Sequence, residues 1–167
     1  MKFFEMNIIN IRPIEKEDNR DLAEIIKSCF DDFNVINREG TVFTDPTTND
    51  LFSLFQKPLS ALFVAEDVTG ILGCCGIFPT ENLPENCGEL VKFYLSSKSR
   101  GKGIGKLLME KVVKEAKKLG YTSIYLESLP EFSTAVSIYE KQGFQYLEQP
   151  LGDSGHTGCN LWMLKNI

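Results

Sequence analysis

The sequence predicts a mixed α/β fold, and two observations carry that prediction. Stretches with strand character and stretches with helical spacing interleave in the order β-α-α-β-β-β-α-β-α-β-β, which is no simple doubly wound alternation. The composition, 43% apolar and 25% charged with 7 Pro and 13 Gly, is that of an ordinary globular protein and excludes a collagen-like, disordered or coiled-coil chain. With about 150 residues per domain as a prior, the 167 residues are expected to form one domain over 1–167 around a shared core.

The elements follow in order. Met6 to Ile11 has β character and ends at Arg12-Pro13. Glu15 to Phe30 places Leu22, Ile25, Ile26, Cys29 and Phe30 at helical spacing. Asp31 to Asp50 is polar, with Gly40, Pro46 and four threonines, and reads as a long loop before a short helix near Leu51 to Gln56. Loops of that length are commonly lids or binding loops. Ala61 to Glu66 and Ile71 to Phe78 are apolar runs split by Asp67-Val68-Thr69-Gly70, the pattern of a hairpin of buried strands. Thr80 to Asn86 is turn-rich, and Gly88 to Ser96 reads as a further strand. Ile104, Leu107, Leu108, Val112, Ala116 and Leu119 keep a 3.6-residue period, with Gly120 where a helix C-terminal cap is wanted. Thr122 to Glu127 alternates as a strand. A helix from about Ser133, its expected N-cap, to Gln142 stops at Gly143. Phe144 to Glu148 and Cys159 to Leu164 are strand-like, joined by the Gly-rich loop Asp153 to Gly158.

Several functions are excluded early. The apolar runs fall far short of the roughly 20 residues of a membrane span, and Met1 to Ile11 contains no continuous apolar signal core, so the chain is expected to be cytoplasmic and not to engage membranes. Five cysteines, none at C-x-x-C spacing, suggest buried free thiols, not a disulfide framework or a zinc knuckle. With His156 the single histidine, no metal site is expected.

Charge is uneven. The net charge is -5, yet Lys98 to Lys118 carries eight basic and two acidic residues, a local excess of +6 on an otherwise acidic chain. A basic segment of this kind suits one polyanionic ligand held at one place, and not general affinity for nucleic acid. Within it, Ser96 to Lys106 links a strand directly to the most regular helix. Strand, glycine loop and helix N-terminus form an anion-binding arrangement, because the first backbone N–H groups of a helix lack intrahelical partners and the helix dipole adds positive potential. The ligand is expected to contain phosphate. The spacing fails the P-loop, since Lys106 is followed by Leu107, and fails G-x-G-x-x-G, since Lys106 and Leu108 stand where the third glycine is required.

What fits is R-x-x-G-x-G, in Arg100-Gly101-Lys102-Gly103-Ile104-Gly105, preceded by the strand Glu89-Leu90-Val91-Lys92-Phe93-Tyr94-Leu95 and followed by Ala135-Val136-Ser137-Ile138-Tyr139-Glu140-Lys141-Gln142-Gly143-Phe144. In these blocks and their order the chain resembles the GNAT superfamily of N-acetyltransferases. The resemblance implies a twisted, mostly antiparallel sheet of about six or seven strands flanked by about four helices, with acetyl-CoA wedged between splayed fourth and fifth strands. It assigns Arg100, Gly101, Lys102, Gly103, Ile104, Gly105 and Lys106 to the pyrophosphate, and the backbone of Phe93, Tyr94 and Leu95 to the pantetheine arm. It also calls for a lysine to screen the ribose phosphate, such as Lys98 or Lys102, a choice that spacing leaves open. One departure stands out: Phe132 occupies a position where the family often has Asn.

Transfer of an acetyl group needs a neutral amine, hence a base, and a proton donor for the departing thiolate. The resemblance points to Glu89 as the base and Tyr139 as the donor. The alternatives are a strand glutamate paired with a lysine such as Lys92, and a core tyrosine; Glu127 is a second carboxylate. Cys87, two residues before Glu89, raises a covalent route without supporting it. The family's acceptor pocket falls here on Cys29 to Phe55 and on the loop around His156, so Phe33 and His156 are candidate substrate-binding residues. The alternatives are that the phenylalanines are the lid's own core and that His156 is satisfied by backbone. The implied activity is N-acetyl transfer from acetyl-CoA, with no metal, to a small-molecule primary amine by a monomer or homodimer. A protein acetyltransferase and a non-catalytic acyl-CoA sensor are the other readings.

Overall fold

The computed structural model describes residues 7–167; Met6, the first residue of the expected opening strand, lies outside them, as does the stretch before it. The elements are β1 (Asn10–Pro13), α1 (Asn19–Asp32), α2 (Leu51–Leu54), β2 (Ala61–Asp67), β3 (Gly70–Phe78), β4 (Cys87–Leu95), α3 (Ile104–Lys118), β5 (Ser123–Ser128), α4 (Ser133–Lys141), β6 (Gln145–Leu147) and β7 (Leu161–Asn166). The seven strands form a sheet in the order β1-β2-β3-β4-β5-β7-β6. Every neighbouring pair is antiparallel except β4 with β5.

Alternation along the strands divides the apolar residues between two cores. Phe63, Ala65, Cys75 and Leu90 face α3, which contributes Ile104, Leu108, Met109, Val112 and Ala116. Leu62, Val64 and Cys74 face the other way, onto Leu22, Ile26, Cys29 and Phe30 of α1 and onto Val35, Val42 and Leu51 of the segment after it. The five cysteines are free thiols, four buried and Cys159 half-buried.

Two sequence expectations shift by a few residues. The first long helix starts at Asn19, because Glu15 to Asp18 is held as a 3-10 turn by a reciprocal capping box in which Glu15 N donates to Asp18 Oδ2 at 2.7 Å. Arg12 then clamps the same carboxylate at 2.7 and 2.9 Å and Glu66 at 2.9 Å, tying β1 to the turn and to β2. Ser133 is the first helical residue of α4, not its cap; Phe132 takes the cap position without a side-chain bond. Its ring is anchored instead, edge-on to Phe30 at 5.2 Å and to Tyr94 at 5.9 Å.

One irregularity positions the site. Between the pairs Cys74↔Tyr94 and Gly76↔Val91, β4 has one residue more than β3, and Lys92 takes φ +56. This is a β-bulge, which bends and twists the strand that carries it. It also inverts the facing of the strand: Val91 packs on the α1 side, Phe93 on the α3 side and Tyr94 on the α1 side again. Pairing of β4 with β5 covers only Cys87↔Ser123, Gly88↔Ile124 and Glu89↔Tyr125. Beyond Glu89 the strands diverge.

Candidate active site

The divergence opens a cleft enclosing about 900 Å³, including the solvent space at its mouth. Glu89 to Leu95 form one wall, Glu127 to Leu129 the other, and Phe132, Ala135, Ile138 and Tyr139 close the side toward α4. A second pocket of about 750 Å³ lies between the segment after α1, the end of β3 and the loop before β7. The two meet at Glu89, Val91, Lys92 and His156, which line both.

Glu89 is 4% exposed. Burial, which disfavours the charged form, pushes its carboxyl up to about 7; the Thr80 hydroxyl that donates to Oε2 and the charge of Lys92 oppose the rise, and Glu127 adds to it. Glu127 accepts from the Ser154 hydroxyl and, at 2.8 Å, from the Tyr125 hydroxyl. Glu127 is therefore occupied on both oxygens, whereas Glu89 has one oxygen without a side-chain partner.

Tyr139 projects from α4 into the first cleft between Phe93 and Phe144, with ring centroids at 5.7 and 5.9 Å. Its residue is 4% exposed, and burial drives its phenol well above the ordinary value, so the proton is kept at neutral pH. No fully buried side-chain oxygen or nitrogen lacks a partner among the described residues. The Tyr139 hydroxyl makes no hydrogen bond there, so it is the open end of an otherwise buried side chain.

The glycine loop behaves as two structures. Gly101 and Gly103 have φ +78 and +76, and no atom lies within 4 Å of where a Cβ would sit. Gly103 caps α3, and the first helical acceptance is Leu107 N to Gly103 O at 3.3 Å, which leaves the amides of Ile104, Gly105 and Lys106 without intrahelical partners. This cradle fits a phosphate. Gly105 serves packing: a Cβ there would meet Ile138, Leu95 and Phe93 at 3.0, 3.1 and 3.1 Å. The Arg100 guanidinium is turned inward, paired with Asp32 at 2.9 Å, donating to Leu95 O at 2.9 Å and lying 4.7 Å from the centroid of Phe33. Any contribution of Arg100 to an anion is thus through its backbone. Lys102 and Lys106 stand exposed on the loop and the first turn of α3.

At the second pocket the segment after α1 is docked, not loose. Gly158 N donates to Gly40 O at 2.8 Å, and His156 Nε2 lies 2.8 Å from Asp45 Oδ2. The His156 ring is satisfied by that carboxylate, where the sequence suggested backbone. Burial works to raise the Asp45 carboxyl, but the hydrogen bonds from His156 and Thr47 outweigh it and hold it at about 2. Phe33 lines the first cleft only, under Arg100 and against Phe132 at 5.7 Å. Of the five phenylalanines between Cys29 and Phe55, Phe55 alone lines the second pocket. Cys87 lines neither pocket, and burial pushes its thiol up, away from nucleophilic character.

Sequence reasoning missed Thr80, Asp45 and Lys92 as parts of the site. For Lys92 a signal existed, a charge inside the apolar run Leu90 to Leu95. Thr80 and Asp45 carried none, being polar residues in turn-rich stretches. Among the described residues no three of His, Cys, Asp or Glu gather as a metal-holding group, and no helix is long and apolar enough to cross a membrane.

Comparison with known proteins agrees with this geometry. The chain is 28% identical over 157 residues to the uncharacterized N-acetyltransferase YjgM of Escherichia coli, covering 94% of each chain. It is 31% identical over 123 residues to an IAA acetyltransferase of Azospirillum brasilense, covering 72% of this chain and 78% of that one. A GNAT-family acetyltransferase of Staphylococcus aureus superposes with a TM-score of 0.81 at 24% identity, over 95% of this chain and 99% of the other. The PaiA N-acetyltransferase of Thermoplasma acidophilum, solved in complex with coenzyme A, superposes with a TM-score of 0.74 at 21% identity, over 96% and 99%. The model of the acetyltransferase (GNAT) family matches residues 20–144, and with the bulged β4, the cleft beside it and the glycine cradle at α3 already in place, the chain belongs to that family.

Proposed function

We propose that this GNAT acetyltransferase moves the acetyl group of acetyl-CoA directly to a primary amine of a small molecule, with Glu89 as general base and Tyr139 as general acid. The observation that carries the reading is Glu89 itself: a carboxyl 4% exposed, with the Thr80 hydroxyl on one oxygen, at the junction of the two pockets, where burial pushes its pKa up to about 7. Bound acetyl-CoA supplies a thioester, whose acyl carbon accepts the amine and whose thiolate departs. The residues around it divide the remaining work. The amides at the start of α3 hold negative charge, and the wall of β4 from Phe93 to Leu95 offers backbone for the arm of the cofactor. Glu89 takes a proton from the acceptor's ammonium, a task for which a base titrating near 7 is suited. Tyr139, kept neutral by burial, holds a proton ready for the sulfur. A small acceptor is favoured by the docked segment over the second pocket, joined to the loop before β7 through Gly40 and Asp45.

The test is thiol release from acetyl-CoA against polyamines, amino acids, amino sugars and peptides, with calorimetric titration of CoA beside it. Release with a small-amine class is expected. Release with peptides only would overturn the small-molecule reading, and folded protein that binds no CoA would overturn the whole.

A further inference from the structure

Lys92 is a costly residue to place where it is. The residue is 6% exposed, at the bulge of β4, and it lines both pockets. No hydrogen bond or ion pair reaches its ammonium among the described residues; longer-range attraction, chiefly from Asp45 and Glu89, offsets its burial only in part, and the net effect is to lower its pKa. Since no fully buried side-chain nitrogen lacks a partner, the ammonium is the open tip of a buried stem, and the space it opens onto is the junction of the pockets. A buried charge without a counter-ion is strongly unfavourable unless something supplies one.

Among the described residues no carboxylate makes a contact with it, and the two that attract it from a distance have other partners. Asp45 is engaged by the His156 ring at 2.8 Å and by Thr47, whose amide and hydroxyl donate at 2.9 and 2.7 Å. Glu89 accepts from Thr80 and, on the transferase reading, must stay free to take a proton from the amine. The anion that completes the site therefore arrives with the acceptor. Leu54, Phe55, Phe78 and Pro79 line the second pocket beyond this point and offer an apolar wall for a side chain.

We propose that Lys92 is the specificity-determining residue of the acceptor site, binding a carboxylate on the amine substrate, so that the acceptor is a free amino acid or an amino-acid-like zwitterion. This rests on the transferase reading above. The amine then faces Glu89 and the carboxylate faces Lys92, both on β4 and three residues apart. A polyamine brings a second cation to this ammonium, and an amine within a peptide chain has no adjacent carboxylate.

The experiment measures thiol release from acetyl-CoA with free L-amino acids, each matched to its carboxamide and its decarboxylated amine, in the parent protein and in Lys92→Met and Lys92→Arg. For the parent, kcat/KM for the acids is expected to exceed that for the carboxamides by about tenfold or more, since a charge-assisted pair in a desolvated site discriminates strongly. The acid-to-amide ratio should fall to about one in Lys92→Met and recover in part in Lys92→Arg. Equal parent rates with acids and amides, or a ratio that Lys92→Met leaves unchanged, would overturn the assignment, and the parent ratio decides even if the variants fail to fold. Release with carboxylate-free amines alone would overturn this assignment and leave the transferase reading standing. No release with any amine would overturn both.

Discussion

Glu89 shows what burial does to one side chain. Its carboxyl titrates near 7 in the folded chain against about 4.5 in an unfolded one, so between those values the folded state holds a proton that the unfolded state has released. Stability therefore falls as pH rises from about 4.5 to 7, and the penalty is fully present above that. Glu89→Gln removes it: urea denaturation at pH 8 should show a gain of about 2–3 kcal/mol, fading toward pH 4.5. Activity should move the other way. The parent's kcat/KM should rise with pH through about 7, and Glu89→Gln should lose that limb along with roughly 10²- to 10⁴-fold in kcat. Tyr139→Phe deletes a hydroxyl that has no partner among the described residues, so stability should hold while kcat drops on the order of 10²-fold. If both variants turned over within twofold of the parent, the catalytic assignment would fail.

At the scale of elements, the loop before α3 separates two roles that glycine plays side by side. Gly103 has a positive φ and open space around it, whereas Gly105 lies against β4 and α4. Gly103→Asp sets a carboxylate at the proposed phosphate site, and calorimetry should show CoA affinity lowered tenfold or more. Gly103→Asn, similar in size and tolerant of that φ, should keep more of it, because the repulsion is gone. Equal affinity in the two would refute an anion site at this loop. Gly105→Val should instead destabilise the chain by about 1–3 kcal/mol in denaturant melts, by forcing α3 off Leu95 and Ile138. The bulge in β4 is a second device of this kind. One extra residue ends the pairing with β5, opens the cleft and turns Lys92 into it.

Over the whole molecule, the pockets are completed by segments far apart in sequence. Asp45, in the segment after α1, meets His156, more than a hundred residues on, and both line the second pocket, the proposed acceptor site. The Asp45 carboxyl is held at about 2, below its unfolded value, so the contact stabilises the fold above pH 4 and is lost as pH falls from about 4 toward 2. Asp45→Asn should cost about 1–2 kcal/mol at pH 7 in denaturant melts. It should also raise KM for the acceptor several-fold while leaving CoA affinity unchanged. A rise in the Kd for CoA with no change in acceptor KM would place this contact at the other cleft.

The sequence by itself determined the elements to within a few residues, their order and the glycine loop at the start of α3, because each depends on local periodicity, turn chemistry and the spacing of glycines over a few residues. Ile104 to Leu119 and Gly120 announce α3 through their own pattern, and Arg100 to Gly105 announce the loop. The tertiary structure alone decided where charges end up. That Arg100 turns inward to Asp32, that His156 pairs with Asp45, that Phe132 anchors in an aromatic cluster at the side of the first cleft, and that Lys92 stands at the junction without a contact partner among the described residues are matters of tertiary packing. Those contacts join residues that no local pattern relates. The burial that sets the titration of Glu89 is likewise a property of everything packed around it, not of the strand it sits on.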